Sequence, residues 1–492
     1  MATTGSVPGN VNAYNADKNY TVSLTVLTSL FFMWGFITCM NDILIPFLKK
    51  IFELNRAESM LVQFAFFSAY FIGSVIYFFI SSQKGDPIEK IGYKNGLLIG
   101  LFISALGCFL FYPAAEVKSY GFFLGALFIL GLGFTMLQIA ANPYVAILGP
   151  AKTASSRLNL SQAFNSFGTT IAPIVGGYLV FHYFATWGQP LLNKLGEVIT
   201  TDTGMPMSAI GVQLPYVIFA VIFLLLAVLI KATKLPVFTN EEKIEKGAGA
   251  LQYSHLVFGM VAIFMYVGGE VSIGSLLINY IYELLGLPEM EAKSFLAFYW
   301  GGAMIGRFLG AISLRETSNE IRRIFMMLGI SVVTYLIIYF AVYIESGFIF
   351  EFKRILPFSI FLVLNLIAFR LGRANAARTL SIFSLVVIIL LVITILTGGN
   401  VAMWTVLSIG LFNSIMWSNI FTLAIKDLGK YTAQGSSLLV MSILGGAIIP
   451  VIQGYVADQI GGYHYSFFVP IICYIYLAWY GYKGHIVKKW KE

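Results

Sequence analysis

The sequence predicts an all-α protein that crosses a membrane many times. Hydrophobic residues make up 58% of the 492 positions and charged residues only 11%, whereas a soluble protein of this size needs far more charge on its surface. Apolar runs recur along the chain, each of the length that a helix needs to cross a hydrocarbon core about 30 Å thick. The net charge of +8 needs no nucleic acid to explain it, because basic loops set the topology of such proteins.

The apolar runs predict about fourteen spans, so both termini lie on one side of the membrane. Most of the 31 Lys and Arg residues fall in the loops and termini of that side, which the positive-inside rule identifies as the cytoplasm. The polar segment 1–21 lacks the basic start and apolar core of a signal peptide, and residues 484–492 form a short tail. The predicted spans are 22–48, 58–82, 93–113, 119–147, 157–184, 213–232, 253–282, 292–314, 323–345, 353–371, 376–397, 401–425, 432–457 and 464–483.

Two motifs occur twice and indicate that the chain contains two related halves. The F-x-x-Y-x-x-G motif at Tyr70 returns in similar form at Tyr299, and the G-x4-P-x3-G-Y motif that begins at Gly168 returns at Gly445. The second pair is about 48 residues further apart than the first, so the second half contains an insertion. The predicted parts are two six-helix bundles at 22–232 and 253–483, a cytoplasmic linker at 233–252, and an inserted two-helix hairpin at about 316–375 that we interpret as a peripheral packing element.

Three ionisable side chains fall inside predicted spans: Asp42, Glu270 and Arg307. An ionisable group at that depth is costly and marks a functional site by default, with a partner or a cavity beside it. Asp42 and Glu270 fall at nearly matching positions of the two halves, and the glycines around Glu270 leave room for a ligand or for close helix packing. For Asp42 the alternative is a capping role at a frayed helix end. For Arg307 the alternatives are a side chain that reaches out to the interface and an ion pair with an acid across the bundle.

Amide side chains recur within several spans. Gln138 and Asn142 lie one turn apart, and Gln162 and Asn165 lie on or beside a polar face of the fifth span. Such amides tie helices together or line a polar cavity, and their occurrence in four spans favours the cavity. Amides pair with hydroxyl groups and aromatic faces cover the apolar side of a sugar ring, so we predict a neutral polyhydroxylated ligand. The candidate ligand-binding residues are Trp34, Asn41, Gln138, Asn142, Gln162, Asn165, Tyr266, Glu270, Asn413 and Trp417, and the candidate structural or gating residues are Arg307, Gly168, Pro173, Gly445 and Pro450.

The sequence contains no pattern typical of a redox, metal or catalytic centre. The three cysteines lie apart within apolar runs, the four histidines are scattered, and no nucleophile elbow or phosphate-binding loop is present. We therefore expect no enzyme activity, no metal or other cofactor, and no nucleic-acid partner. A sugar receptor with the shape of a transporter is an alternative, which the short linker and tail disfavour because they offer no signalling domain.

Six motifs occur in order: WGFITCMNDILIP (34–46), LQIAANPYVAILGP (137–150), SSRLNLSQAFNSFGTT (155–170), YVGGEVSIGS (266–275), IGRFLGA (305–311) and GSSLLVMSILGGAIIP (435–450). Together they resemble the fucose/glucose/galactose:H+ symporter family of the major facilitator superfamily, with the glucose/galactose branch as the nearer match. The likeness covers nearly the whole chain apart from the N-terminal segment and the hairpin. It implies the major facilitator fold, in which two six-helix bundles rock around a site at the membrane midplane.

The resemblance implies import of a monosaccharide by proton symport, with Asp42 in proton coupling, Asn165 facing the sugar, and Glu270 sharing the proton or binding sugar hydroxyls. We expect an integral plasma-membrane protein, in a bacterium the inner membrane, that works as a monomer. Gln138 stands where the fucose branch has a second acid. WSNIF (417–421) stands where the family more often has a Pro-Thr pair, which predicts a stiffer twelfth span. Na+ as the coupling ion, and L-fucose or an N-acetylated hexosamine as the sugar, remain alternatives.

Overall fold

The computed structural model describes residues 20–54, 56–184, 187–193, 196–200, 204, 206–237, 246–287, 289–315, 319–346 and 349–490. Nearly all of these residues are helical, apart from loops and a few isolated β-bridges such as Leu192 with Val198. Each predicted span overlaps one helical segment, and some of these segments are interrupted by a turn. The helices are α1 (Thr21–Phe52), α2 (Arg56–Lys84), α3 (Tyr93–Glu116), α4 (Tyr120–Ile147), α5 (Ala154–Tyr178), α6 (Ile210–Ala232), α7 (Ser254–Leu285), α8 (Glu289–Ser313), α9 (Glu320–Glu345), α10 (Leu356–Gly372), α11 (Ala376–Leu396), α12 (Gly399–Ala424), α13 (Gly429–Ile460) and α14 (Phe468–Trp479).

Successive long helices run in opposite directions between two faces of the molecule. We call the face at which α1 begins the near face and the opposite one the far face. Polar contacts between loops follow this alternation: Lys94 binds the Lys231 carbonyl at the near face, and Lys50 binds the Thr200 carbonyl at the far face. Trp490, close to the end of the chain, donates to the Leu251 carbonyl, so the chain returns to the near face.

The helices pack as two groups, α1–α6 and α7–α14. Within the first group α1 lies along α5 and α3 lies along α4 and α6, while in the second group α7 packs on α13 and α8 packs on α12. The groups meet where α8 crosses α5 and where α13 crosses α2 and α4. Residues of α5 and α8 therefore face both groups, and this interface contains the candidate site.

Within the described chain, twelve helices are long and apolar enough to cross a membrane. The helices α5 and α14 are not among them. The first half of α5, ASSRLNLSQAFNSFGTT, is polar because it faces the other group rather than lipid. The last segment is divided by a turn at Phe467, which leaves each helical piece too short.

The helices α9 and α10, which make up the predicted insertion, lie on the outside of the second group. α9 packs on α8, and α10 packs on α11 and α12. Their outward side chains are apolar and exposed, as at Phe325 (69% exposed) and Ile360 (63%). Such a surface is suited to hydrocarbon rather than to water.

The prediction of a stiffer twelfth span was wrong. α12 consists of two helical pieces, Gly399–Asn413 and Met416–Ala424, separated by a turn at Ser414 and Ile415. The Ser414 hydroxyl donates to the Leu411 carbonyl at 2.7 Å, and Nε of Arg307 donates to the Ser414 carbonyl at 3.3 Å. Side chains from the same and a neighbouring helix thus satisfy backbone groups at the break, so no proline is needed there.

Candidate functional site

The candidate coupling acid lies in α1, where the helix continues through residues 41 and 42. The side chains of Asn41 and Asp42 lie outside the part of the chain that the structure describes. Their roles in ligand binding and proton coupling therefore stay predictions.

A polar cluster in the first group surrounds the hydroxyl of Tyr70. Nε1 of Trp34 donates to this hydroxyl at 3.4 Å, and the side chains of Gln138 and Thr38 lie beside it. Trp34 is 7% exposed and Gln138 is 4% exposed. One turn after Gln138, Asn142 is fully buried, and among the described residues neither its amide nitrogen nor its amide oxygen has a hydrogen-bond partner. Unpaired buried amides are rare because they lose hydration, and the role of Asn142 in ligand binding stays a prediction.

A charged cluster in the second group centres on Glu270 of α7. Nη2 of Arg307, from α8, lies 3.8 Å from Oε1 of Glu270. This is ion-pair distance but too long for a good hydrogen bond, and the side chain of Tyr266 lies beside the same carboxylate. The structure therefore favours the ion pair over the outward-reaching alternative for Arg307.

The guanidinium of Arg307 also connects the two groups of helices. Nη1 donates to the hydroxyl of Ser166 in α5, and Nε donates to the Ser414 carbonyl in α12. Arg307 consequently holds Glu270 beside the surface where the groups meet.

A chain of three hydrogen bonds ends at the backbone carbonyl of Glu270. The Tyr299 hydroxyl donates to the Glu270 carbonyl at 2.8 Å, Nδ2 of Asn413 donates to the Tyr299 hydroxyl at 3.0 Å, and the Tyr474 hydroxyl donates to Oδ1 of Asn413 at 2.7 Å. Asn413 is fully buried. Because both ends of its amide are bonded within the protein, it is placed to orient α7 and α8.

The remaining candidate ligand-binding residues lie around the two clusters. Asn165 is half-buried, and its amide donates to the Phe31 carbonyl of α1 at 3.0 Å. Gln162 is 7% exposed. Tyr266 is 1% exposed, and its side chain lies beside the carboxylate of Glu270. Trp417 is 8% exposed, and its Nε1 has no hydrogen-bond partner in the described structure. Their roles in ligand binding stay predictions.

The predicted structural glycines lie where helices touch backbone to backbone. A Cβ added to Gly168 of α5 would lie 2.3 Å from the Phe32 carbonyl oxygen of α1. At the matching place in the second half, a Cβ on Gly445 of α13 would lie 2.0 Å from the Phe264 carbonyl oxygen of α7. Pro173 lies inside α5 and Pro450 inside α13. The two halves thus repeat the same close helix pair.

The two groups are joined by neutral hydrogen bonds towards the near face. They connect the start of α5 with the near ends of α8 and α12: the hydroxyls of Ser155 and Thr422 are 2.6 Å apart, Ser156 donates to the Ala311 carbonyl at 2.6 Å, and the Asn159 amide is 3.4 Å from that of Asn419. A further bond of 3.1 Å runs from Gln434 of α13 to Ser81 of α2. These contacts close the near face.

An acidic pair lies at the same face between α2 and α3. Asp86 is 5% exposed and accepts hydrogen bonds from the Tyr77 hydroxyl and the Ile88 amide. Burial raises the pKa of Asp86. Burial, with the nearby charge of Asp86, raises the pKa of Glu89 to about 7. Glu89 therefore changes charge near neutral pH.

The sequence prediction missed Tyr70, Tyr299 and Tyr474 as site residues. Tyr70 and Tyr299 were visible as equivalent positions of a repeated motif, and that repetition was the available signal. Tyr474 lies in no repeated motif, and only packing brings it to Asn413. In the described parts of the chain, no three His, Cys, Asp or Glu side chains are grouped as metal ligands.

Comparison with known proteins gives consistent matches. Residues 25–356 match the family model described as Major Facilitator Superfamily. The chain is 43% identical to a glucose/galactose transporter of Brucella abortus, over 98% of this chain and 99% of that protein. It is 32% identical to the L-fucose-proton symporter of Escherichia coli, over 93% and 92% of the two chains. A solved structure of the transporter FucP in the outward conformation superposes with a TM-score of 0.71 at 29% identity, covering 95% of this chain and 99% of that one.

Proposed function

The chain belongs to the Major Facilitator Superfamily, and we propose from this premise that it imports a glucose- or galactose-like monosaccharide together with protons. The observation that carries the proposal is the 43% identity with a glucose/galactose transporter along 98% of the chain. Proton coupling is supported by the similarity to the L-fucose-proton symporter. The protein acts as an integral membrane carrier, in a bacterium in the inner membrane, and not as an enzyme or a receptor.

We propose that the chain crosses the membrane fourteen times. The N-terminal bundle is 22–232, the linker 233–252 and the C-terminal bundle 253–483, with the hairpin at about 316–375 as an inserted pair of spans. The apolar outer surfaces of α9 and α10 support this placement. The near face, with both termini, is cytoplasmic, and the closed near face is then the closed inner gate of an outward-facing carrier.

The sugar binds between the Tyr70 cluster and the Glu270 cluster. Its hydroxyls pair with amides of the first group, including Gln138 and Asn142, and with Glu270 and Tyr266 of the second. The ring rests on an indole, Trp34 or Trp417. Asn413 acts on this site indirectly through Tyr299, since its own amide is already bonded.

The proton is carried by Asp42 and Glu270. A carboxylate without a close partner is costly in a closed, water-poor cavity, so a charged Asp42 opposes closure of the outer gate around the sugar. Protonation removes that cost, and the loaded carrier then changes conformation. In the other half Arg307 partly compensates the charge of Glu270, which makes Glu270 the acid that binds sugar hydroxyls or shares the proton.

The test uses purified protein in proteoliposomes, with sugar counterflow compared to gradient-driven accumulation. We expect Asp42→Asn to retain counterflow and to lose accumulation, because an amide cannot release a proton. Accumulation at the wild-type level would remove Asp42 from coupling. We expect Glu270→Gln to bind sugar more weakly; unchanged affinity and accumulation would make Glu270 structural.

Two measurements decide between the alternatives. Uptake driven by a pH step in sodium-free buffer separates proton coupling from Na+ coupling. A panel of labelled monosaccharides, including L-fucose and N-acetylglucosamine, identifies the sugar; the 32% identity to a fucose symporter makes L-fucose the first competitor. A third measurement, blue-native electrophoresis with cross-linking, tests whether the carrier works as a monomer.

A further inference from the structure

The near-face end of the inserted hairpin carries arginine, whereas the rest of that face carries mainly lysine. Six of the ten arginines in the chain belong to this end: Arg315, Arg322, Arg323, Arg370, Arg373 and Arg378. Elsewhere on the described near face the arginine is Arg157, whose guanidinium binds main-chain carbonyls such as that of Val145. The positive-inside rule requires charge and accepts lysine equally well. Topology alone therefore does not explain this choice.

The six arginines lie at the near-face ends of four consecutive helices. Arg315 follows α8, Arg322 and Arg323 begin α9, Arg370 and Arg373 end α10, and Arg378 begins α11. One carboxylate connects two of these ends, since Glu320 lies 3.3 Å from Arg323 and 4.0 Å from Arg370. The side chain of Arg370 is 68% exposed, and Arg315, Arg322, Arg373 and Arg378 are also exposed. The sequence of this end contains two acids, Glu316 and Glu320, against the six arginines, so positive charge exceeds negative charge here.

The helix ends do not decide the sign of the potential here. α9 and α11 begin at this end, but α8 and α10 end at it. The amino end of a helix carries partial positive charge and the carboxyl end partial negative charge, so these contributions offset one another. The positive potential therefore comes from the guanidinium groups.

An apolar surface continues directly from the arginines towards the far face. Ile321 and Phe325 of α9 are 68% and 69% exposed, and Ile367 and Leu371 of α10 are 50% and 52% exposed. A ligand that matches this arrangement has an anionic head and hydrocarbon tails. Guanidinium groups bind phosphate oxygens through paired, fork-like hydrogen bonds that an ammonium group does not form.

We propose that the near-face end of the hairpin binds the phosphodiester head of an anionic phospholipid, with its acyl chains on the exposed sides of α9 and α10. The inference rests on the proposed placement of the hairpin in the bilayer and not on the identity of the sugar. The hairpin thereby acquires a role of its own as a lipid contact.

The experiment measures lipid binding to the purified full-length carrier by native mass spectrometry. Phosphatidylglycerol is titrated against phosphatidylcholine, and inorganic phosphate and glycerophosphoglycerol are tested as soluble heads. The variant is Arg322→Gln/Arg370→Gln/Arg373→Gln. The matched control is Lys426→Gln/Lys483→Gln/Lys488→Gln, which removes the same charge from exposed positions on the same face. Sugar counterflow is recorded for each protein, so a folded carrier that binds no lipid is distinguished from a failed one.

We expect the wild type to retain phosphatidylglycerol in preference to phosphatidylcholine and the arginine variant to bind it about tenfold or more weakly. The lysine control should bind it as the wild type does. Replacing the same arginines with lysine should give an intermediate affinity, because charge is kept while paired hydrogen bonding is lost. Equal loss in the two triple variants, or no loss in either, overturns the proposal. Binding of the soluble heads as tight as that of the lipid would make this a free-anion site and also overturn it.

Discussion

Arg307 lies 3.8 Å from Glu270 in its own half and donates a hydrogen bond to Ser166 in the other half. One guanidinium therefore contacts both the acid of α7 and the helix α5 across the interface. Any change in the charge of Glu270 alters the balance of these two contacts. This residue pair links the chemistry of the site to the position of the two groups of helices.

Arg307→Gln should destabilise the folded protein. Glu270 would then be buried without a cation, and breaking a buried ion pair on one side costs about 3–5 kcal/mol. The double variant Arg307→Gln/Glu270→Gln should recover much of this loss because no charge remains. Thermal unfolding in detergent measures both. As a control, Arg323→Gln breaks a more exposed pair with Glu320 and should cost at most about 1 kcal/mol. A double variant as unstable as the single one would show that the loss of the ion pair with Glu270 does not cause the destabilisation.

Asn413→Ala should weaken both stability and sugar affinity. The substitution leaves the hydroxyls of Tyr299 and Tyr474 without their shared partner, at a cost of about 1–3 kcal/mol. Tyr299, which donates to the Glu270 carbonyl, is then held less firmly. Calorimetric sugar titration and thermal unfolding are the measurements. Tyr476→Phe serves as the control, because it removes one hydrogen bond to the Phe258 carbonyl and should leave affinity unchanged. Full affinity in Asn413→Ala would exclude a positioning role.

Gly35→Ala should impair folding, because α1 and α5 touch at this point. Its new Cβ would lie 2.1 Å from the Asn165 carbonyl oxygen, and such overpacking costs about 1–3 kcal/mol or more. Gly125→Ala in α4 is the matched control, since no other atom lies within 4 Å of its Cβ. Yield and unfolding temperature of the two variants should differ clearly. Equal behaviour would mean that α1 and α5 have room to separate.

Glu89→Gln should flatten the pH dependence of stability between about pH 4.5 and 7. The pKa of Glu89 is raised to about 7 by burial and by Asp86, so the folded protein keeps a proton that the unfolded chain releases. Stability therefore falls as pH rises through this window. The variant carries no such proton and should lose stability less steeply, which unfolding curves at stepped pH will show. An unchanged slope would mean that Glu89 titrates in its ordinary range.

The helices could be predicted from the sequence within a few residues, because long apolar runs leave a membrane chain few other structures. Repetition located Tyr70 and Tyr299, but nothing local indicated that they organise the two polar clusters. The partner of Arg307 stayed undecided, since α7 and α8 meet only through tertiary packing. The break in α12 could not be predicted from the local sequence either. It occurs without the expected proline, because Arg307 satisfies the Ser414 carbonyl from over 100 residues away in the chain. Local sequence patterns therefore predict the helices but not which side chains contact each other between helices.

The closed near face is held by hydroxyl and amide groups such as Ser155 with Thr422 and Asn159 with Asn419. Water offers the same groups equivalent hydrogen bonds, so each contact contributes only about 0.5–1.5 kcal/mol to closure. Among the described residues, opening this face separates no ion pair between the two groups, so its opening should depend little on ionic strength. We therefore expect the closed and open states of this face to differ little in free energy. The sugar and the proton at the central site would then determine which state is populated.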